Sequence, residues 1–177
     1  MRSCGARSAD WRRDGAHDDE TDPLVCTGNI CRSPLAAALL QRALAQRGIN
    51  DLEVSSAGTG AWDGAPVSEG AYLVGLERGL DLSSHRARLL TRELVDAADL
   101  ILTMARHHRA RVDELGGESQ VFVLGEYAGR EGDDAEVSDP FGGDLEVYRD
   151  TCAELEGLID AAVERIVKEF ASGGNQR

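Results

Sequence analysis

Two stretches of this 177-residue chain, ADLILTM at 98–104 and QVFVL at 120–124, are apolar almost without interruption, and they restrict the fold more than any other feature. A strand with one face in water alternates polar and apolar residues, whereas a strand covered on both faces by helices has no polar side. The polar stretch ARHHRARVDELG between the two runs reads as a solvent-facing helix. Ahead of them, DLEVSSAG at 51–58 reads as a strand and VSEGAYLVGLERG at 67–79 as a helix ended by Gly79. A shorter apolar piece, Leu24 to Cys26, leads to a helix from Ser33 to about Gly48, with Leu35, Leu39, Leu40 and Leu44 on one face. Ser33 is its expected cap and Pro34 sits in its first turn. From Asp144 to Phe170, apolar residues at Val147, Leu155, Leu158, Ile159, Ala162, Val163, Ile166 and Phe170 predict a long closing helix. Strand and helix alternate throughout, which predicts an α/β fold of three layers, a parallel sheet with helices on both faces.

The length favours one domain. Residues 23–172 are the expected folded unit and 173–177 a flexible tail, while MRSCGARSADWRRDGAHDDETD, residues 1–22, has no apolar periodicity and reads as a disordered lead. A net charge of -13 repels nucleic acid and anionic membrane surfaces, so neither is an expected partner. An anionic substrate must therefore be held by local chemistry. No run is apolar enough to span a bilayer and the amino terminus lacks the apolar core of a signal peptide, so the expected location is the cytoplasm. Four cysteines, at 4, 26, 31 and 152, are too sparse for a disulfide-stapled domain.

Cys26 and Cys31 stand five apart in PLVCTGNICRSP, with Arg32 directly after the second. A phosphate monoester is a tetrahedral dianion, and a ring of backbone N–H groups at a helix amino terminus binds it well. Thr27, Gly28, Asn29, Ile30 and Cys31 supply enough backbone to circle one anion, and Gly28 and Asn29 tolerate left-handed conformations. Arg32 adds a planar fork for two oxygens, and Cys26 faces the phosphorus. The same electropositive setting favours a thiolate. The plainer reading is that both cysteines are small buried apolar residues, which the bare spacing alone would favour. A zinc site lacks a second ligand pair, and no nucleotide P-loop motif occurs.

Cleaving a phosphotyrosine also needs an acid, because a phenolate with a conjugate pKa of about 10 leaves poorly. EVSDPFGGD offers Asp139, stiffened by Pro140 and followed by two glycines, although Asp139 in that setting also suits a simple turn. GTGAWDG at 58–64 resembles a dinucleotide fingerprint but has the wrong spacing. Within it, Trp62 is either a packed aromatic or a wall for a planar substrate. His85 in SSHRARLLT reads as a residue that holds a loop by hydrogen bonds, and Cys152 as core. Cys31 is the expected redox partner of Cys26, placed to trap a sulfenic acid as a disulfide.

Taken together, VCTGNICRSP, SSAGTGAW, DLSSHRARLLT, VFVLGEYAG and DPFGGDLEVY resemble, in order, segments of the low-molecular-weight protein tyrosine phosphatases, over about Leu24 to Phe170. The resemblance implies a four-stranded parallel sheet in order 2-1-3-4, with the site at the carboxyl ends of the strands. It implies Cys26 as nucleophile, Arg32 as transition-state clamp and Asp139 as general acid and then base. Ser33 and Asn29 would steady the thiolate and the loop, and Trp62 and Phe141 would line a phenyl slot. It further implies a phosphotyrosine-bearing protein as substrate, no cofactor, no metal and a monomer.

Three positions depart from that family. Only Leu24 and Val25 precede the nucleophile, behind Asp22 and Pro23; this predicts a first strand shorter than its neighbours, marginal stability, and a gain in melting temperature if DETDP became an alternating apolar strand. Ala37 stands where the family usually has a glutamate that engages the histidine corresponding to His85. Ala105 stands where aspartate is common. Three rival readings remain: a protein arginine phosphatase, in which threonine replaces Ile30; an arsenate reductase, which needs additional shuttle cysteines; and an anion or phosphopeptide binding module without turnover.

Overall fold

A computed structural model describes residues 21–173, so all but the last two residues of the lead expected for 1–22, and all but Gly173 of the tail expected for 173–177, lie outside the described residues, as does the side chain of Phe170. The elements in chain order are β1 (Asp22–Cys26), α1 (Arg32–Gln46), β2 (Val54–Gly58), α2 (Glu69–Glu77), α3 (Arg92–Ala97), β3 (Ile101–Thr103), α4 (Arg106–Glu114), β4 (Val121–Val123), α5 (Leu124–Tyr127), a 3-10 turn (Gly132–Ala135) and α6 (Leu145–Gly173). The four strands form one parallel sheet in the order β2-β1-β3-β4. The short α5 and the 3-10 turn have no counterpart in the sequence pattern.

The uninterrupted apolar runs have the predicted cause. Successive residues of a strand point to opposite faces. Leu24 and Leu102 enter a core with Leu35, Leu39, Leu155 and Ile159 of α1 and α6, whereas Val25 and Ile101 enter a second core with Val95 and Val112 of α3 and α4. Helices therefore cover both faces. Among the described residues no helix is long and apolar enough to cross a membrane.

Strand β1 corrects the sequence expectation. It is not shorter than its neighbours: at five residues it equals β2 and exceeds β3 and β4, which have three each. Asp22 belongs to it rather than to a disordered lead. Its N–H donates to Glu53 O at 2.8 Å, and its carboxylate accepts the N–H groups of Asp99 and Leu100 at 2.9 and 2.8 Å. Those two amides precede β3, so a side chain does there what the ladder does further on. Pro23 is harmless because Met104 N–H bonds Val25 O, which sets Val25 and, by alternation, Pro23 toward β3. Pairing with β3 starts only at Leu24, one residue later.

An apolar replacement at Asp22 would orphan two amides. Asp22→Ala is expected to lower unfolding free energy by about 1–3 kcal/mol in urea melts, the opposite sign to the gain predicted from sequence. An unchanged midpoint would show that water replaces the carboxylate at no cost.

Candidate active site

Strand β1 ends at Cys26 and α1 begins at Arg32, so Thr27 to Cys31 turn the chain from a central strand into a helix amino terminus. Ser33 is not the helix cap, contrary to the sequence expectation. The cap position falls on Cys31, which makes no side-chain capping bond, and the Ser33 hydroxyl lies 2.9 Å from Cys26 Sγ. A hydroxyl spent on the thiol leaves the first-turn amides for an anion.

Asn29 is the only non-glycine residue with positive φ among the described residues, at 56°, and it is fully buried. Its side-chain amide donates to Ser33 Oγ at 2.9 Å and Ser56 Oγ at 2.8 Å, and its Oδ1 accepts Arg88 N–H at 3.0 Å. His85 Nε2 donates to Asn29 O at 2.7 Å, the loop-holding role expected of it. The loop is thus held in its left-handed turn by four separate contacts.

The GTG that imitates a dinucleotide motif has a different purpose. Gly58 pairs with Cys26 in the sheet, and a Cβ there would stand 2.4 Å from Thr27 O and 2.9 Å from Asn29 N. Thr59 and Gly60 N–H then bond Cys26 O and Thr27 O, both at 2.9 Å. Only glycine lets β2 approach the loop so closely.

Arg32 is buried, with 4% exposure. One guanidinium nitrogen donates to Val137 O at 3.0 Å and the other lies 3.2 Å from Asp139 Oδ2. The fold thereby joins the arginine at the start of α1 to the carboxylate in the loop before α6. Asp139 Oδ1 also accepts Phe141 N–H at 3.1 Å, so the turn reading and the site reading hold together. The Asp139 side chain is half exposed.

Cys31 Sγ donates to Ser68 Oγ at 3.2 Å and lies 3.5 Å from Tyr148 OH. Ser68 caps α2, and its N–H holds Ile30 O at 2.9 Å. Ile30 is half-buried, packed on the larger core. Trp62 and Phe141 are 84% and 72% exposed, so neither is a packed core aromatic. Trp62 lies in the loop whose Thr59 and Gly60 bond the phosphate-type loop, and Phe141 is two residues beyond Asp139. Cys152 is fully buried in α6, and burial pushes its thiol pKa up, which removes it as a shuttle cysteine; Cys4 lies outside the described residues. At Ala105 the cap of α4 lacks a side-chain bond, and Glu136 instead accepts Arg106 N–H at 2.8 Å.

Residues 23–172 match the low molecular weight phosphotyrosine protein phosphatase family. The chain belongs to that family. It is 40% identical to a protein-arginine-phosphatase of Geobacillus stearothermophilus, over 82% of this chain and 95% of the relative. It is 39% identical to a probable low molecular weight protein-tyrosine-phosphatase, EpsP, of Ralstonia solanacearum, over 81% and 93%. The crystal structure of a low molecular weight protein tyrosine phosphatase from T. tengcongensis superposes with a TM-score of 0.75 at 41% identity, covering 82% of this chain and 98% of that one. As a low molecular weight phosphatase, this chain is a cysteine-dependent phosphoric monoester hydrolase of α/β architecture.

One residue of this phosphatase site is invisible in the sequence. His108, in the polar helix α4, is fully buried, and its Nε2 lies 2.8 Å from Thr27 Oγ1. Burial, with the charges of His107 and Arg32, pushes its pKa down to about 3, so the ring that braces Thr27 is neutral. An unfolded histidine takes its proton near 6.5. Between those values the unfolded state binds more protons, so stability falls as pH drops from about 6.5 toward 3, by roughly 1.4 kcal/mol per pH unit from this group. Urea melts across that range are expected to show a shallower acid limb in His108→Gln than in the parent. Parallel limbs would assign the acid loss to carboxylates alone.

Proposed function

We propose that this chain hydrolyses phosphotyrosine in proteins through a cysteinyl-phosphate intermediate. The supporting observation is the convergence of three groups on one helix terminus: the Cys26 thiol against Ser33, the buried Arg32 guanidinium, and Asp139 within 3.2 Å of that guanidinium. Cys26 attacks phosphorus in line while Arg32 and the amides of Thr27 to Arg32 hold the equatorial oxygens. The Cys26 S–P bond forms as the P–O bond to the aryl oxygen breaks, and Asp139 protonates the departing phenolate. Asp139, now a carboxylate, takes a proton from water as that water attacks phosphorus and releases Cys26 and inorganic phosphate. The Ser33 hydroxyl, 2.9 Å from Sγ, is placed to donate a hydrogen bond to the departing thiolate. Hydrolysis of para-nitrophenyl phosphate separates this reading from a binding module without turnover.

Specificity is carried by the rim. Relatives named arginine and tyrosine phosphatases are almost equally similar to this chain, so overall identity does not discriminate. Ile30 does: it gives the loop a half-buried apolar side chain and no hydroxyl. An apolar wall suits a phenyl ring better than a guanidinium, which needs polar partners. Exposed Trp62 and Phe141 offer further ring surface. Ile30→Thr is expected to shift the ratio of phosphotyrosine to phosphoarginine peptide hydrolysis by about tenfold or more toward phosphoarginine, a change of one apolar contact and one hydroxyl. An unchanged ratio would remove Ile30 from specificity.

A further inference from the structure

A cavity of about 330 Å³ lies between α1, the edge strand β2 and residues 81–88, and Cys26 is not among the residues that line it. That is at the small end of the roughly 300–1,000 Å³ typical of small-molecule sites. Its lining includes the apolar Pro34, Ala37, Ala38 and Leu82 together with His85, Arg86 and Arg88. In this acidic protein Arg78, Arg106, Arg109 and Arg149 have carboxylate partners, but among the described residues neither Arg86 nor Arg88 forms an ion pair. Both guanidiniums donate to backbone carbonyls, of Ser83, His85 and Ser56, and Arg88 also reaches Thr21 Oγ1 at 3.5 Å. Ser55, on the same cavity, has a buried hydroxyl with no hydrogen-bond partner. Asp81 is the one carboxylate in the lining, and its Oδ1 already accepts Ser83 N–H.

Three lining residues hold the loop. His85 donates to Asn29 O, Ser56 accepts from Asn29 Nδ2, and Arg88 N–H donates to Asn29 Oδ1. Asn29 is the left-handed residue on which the loop's shape depends. We propose that this cavity is a regulatory site for a small organic carboxylate with an apolar body, and that His85, Ser56 and Arg88 transmit its binding to Asn29 and the loop. Unpaired positive charge recognises the carboxylate, and the alanine and proline wall takes the apolar body.

The chemistry includes a proton. His85 Nε2 carries the hydrogen donated to Asn29 O, so in the neutral ring Nδ1 is an acceptor. Burial, and the charges of Arg86 and Arg88, hold its pKa below the ordinary value. An arriving carboxylate favours the imidazolium, so a proton from solvent goes onto Nδ1 as the anion binds. Asp81 lines the same cavity, Arg86 and Arg88 oppose that protonation, and affinity is expected to rise as pH falls from about 8 to about 6.

Benzoate is a suitable probe and uncharged benzamide its control. Titration calorimetry on the full chain, with orthovanadate filling the phosphate-type loop, is expected to show saturable binding of benzoate and none of benzamide. Arg86→Gln should weaken it about tenfold, and Ala38→Phe, which fills the cavity, should abolish it with basal turnover unchanged. Because coupling is reciprocal, saturating benzoate should change vanadate affinity by about fivefold or more. That measurement needs no turnover, so it stands or falls apart from the phosphatase reading on which the regulatory meaning rests. Benzoate binding lost when vanadate is present would place benzoate in the loop itself and overturn the proposal. Equal binding of benzamide, or unchanged vanadate affinity, would overturn it too. Arg86 is exposed, so its variant decides the matter if Ala38→Phe does not fold.

Discussion

Cys26→Ser is expected to hydrolyse para-nitrophenyl phosphate at least about 10⁴-fold more slowly than the parent, the scale of losing a covalent nucleophile. Inorganic phosphate should bind that variant nearly as well as the parent. The two results belong together because the groups responsible are separable. In the proposed mechanism, anion binding rests on the loop amides, the Arg32 guanidinium and the Asn29 turn, none of which the exchange touches. Bond formation rests on sulfur alone, and a serine hydroxyl at the same place is a far weaker nucleophile near neutrality. Hydrolysis in the variant within about tenfold of the parent would be too small a loss for a nucleophile and would end that assignment. Loss of phosphate binding along with turnover would point instead to a collapsed loop.

Asp139→Asn is expected to lower hydrolysis of a phosphotyrosine peptide by about 10²–10⁴-fold, the usual worth of a positioned acid. An aryl phosphate with an electron-poor leaving group should lose far less, since its phenolate departs without a proton. Asparagine keeps the oxygen that accepts Phe141 N–H and can therefore keep the turn. It also removes the charge beside Arg32, which should tighten phosphate binding in the variant. Equal losses on both substrates would leave Asp139 a structural role only.

The parts of this site that were legible in the sequence are those set by local chemistry. Cys26, Arg32 and the glycine and asparagine between them are read from one turn of chain, because a strand, an anion loop and a helix start must be contiguous. The two buried strands were legible because burial on both faces removes polar residues. Asp22 was misread because its purpose lies 77 and 78 residues away in two amides. His108 was passed over for the same reason: it stands in a run of arginines and histidines, and only the fold brings it to Thr27 across 81 residues. Ser33 has a familiar capping identity, and only the position of Sγ shows that its hydroxyl is engaged elsewhere. Local patterns describe what a residue type usually does, whereas long-range hydrogen bonds depend on neighbours that no window of sequence contains.

Arg32 has a structural part besides the one proposed for it in catalysis. By bonding Val137 O, whose own N–H is fixed to Met104 O, it anchors the backbone two residues before Asp139 as well as the carboxylate itself. Damage to one therefore spreads to the other, and the effects of removing Arg32 and Asp139 should not add, since the first loss already disorganises what the second would remove. Natural selection meets the same non-additivity. In a lineage that lost either residue, the survivor would have little left to contribute, and both would drift. What persisted would be the thiol and its ring of amides, an oxyanion receptor descended from a catalyst.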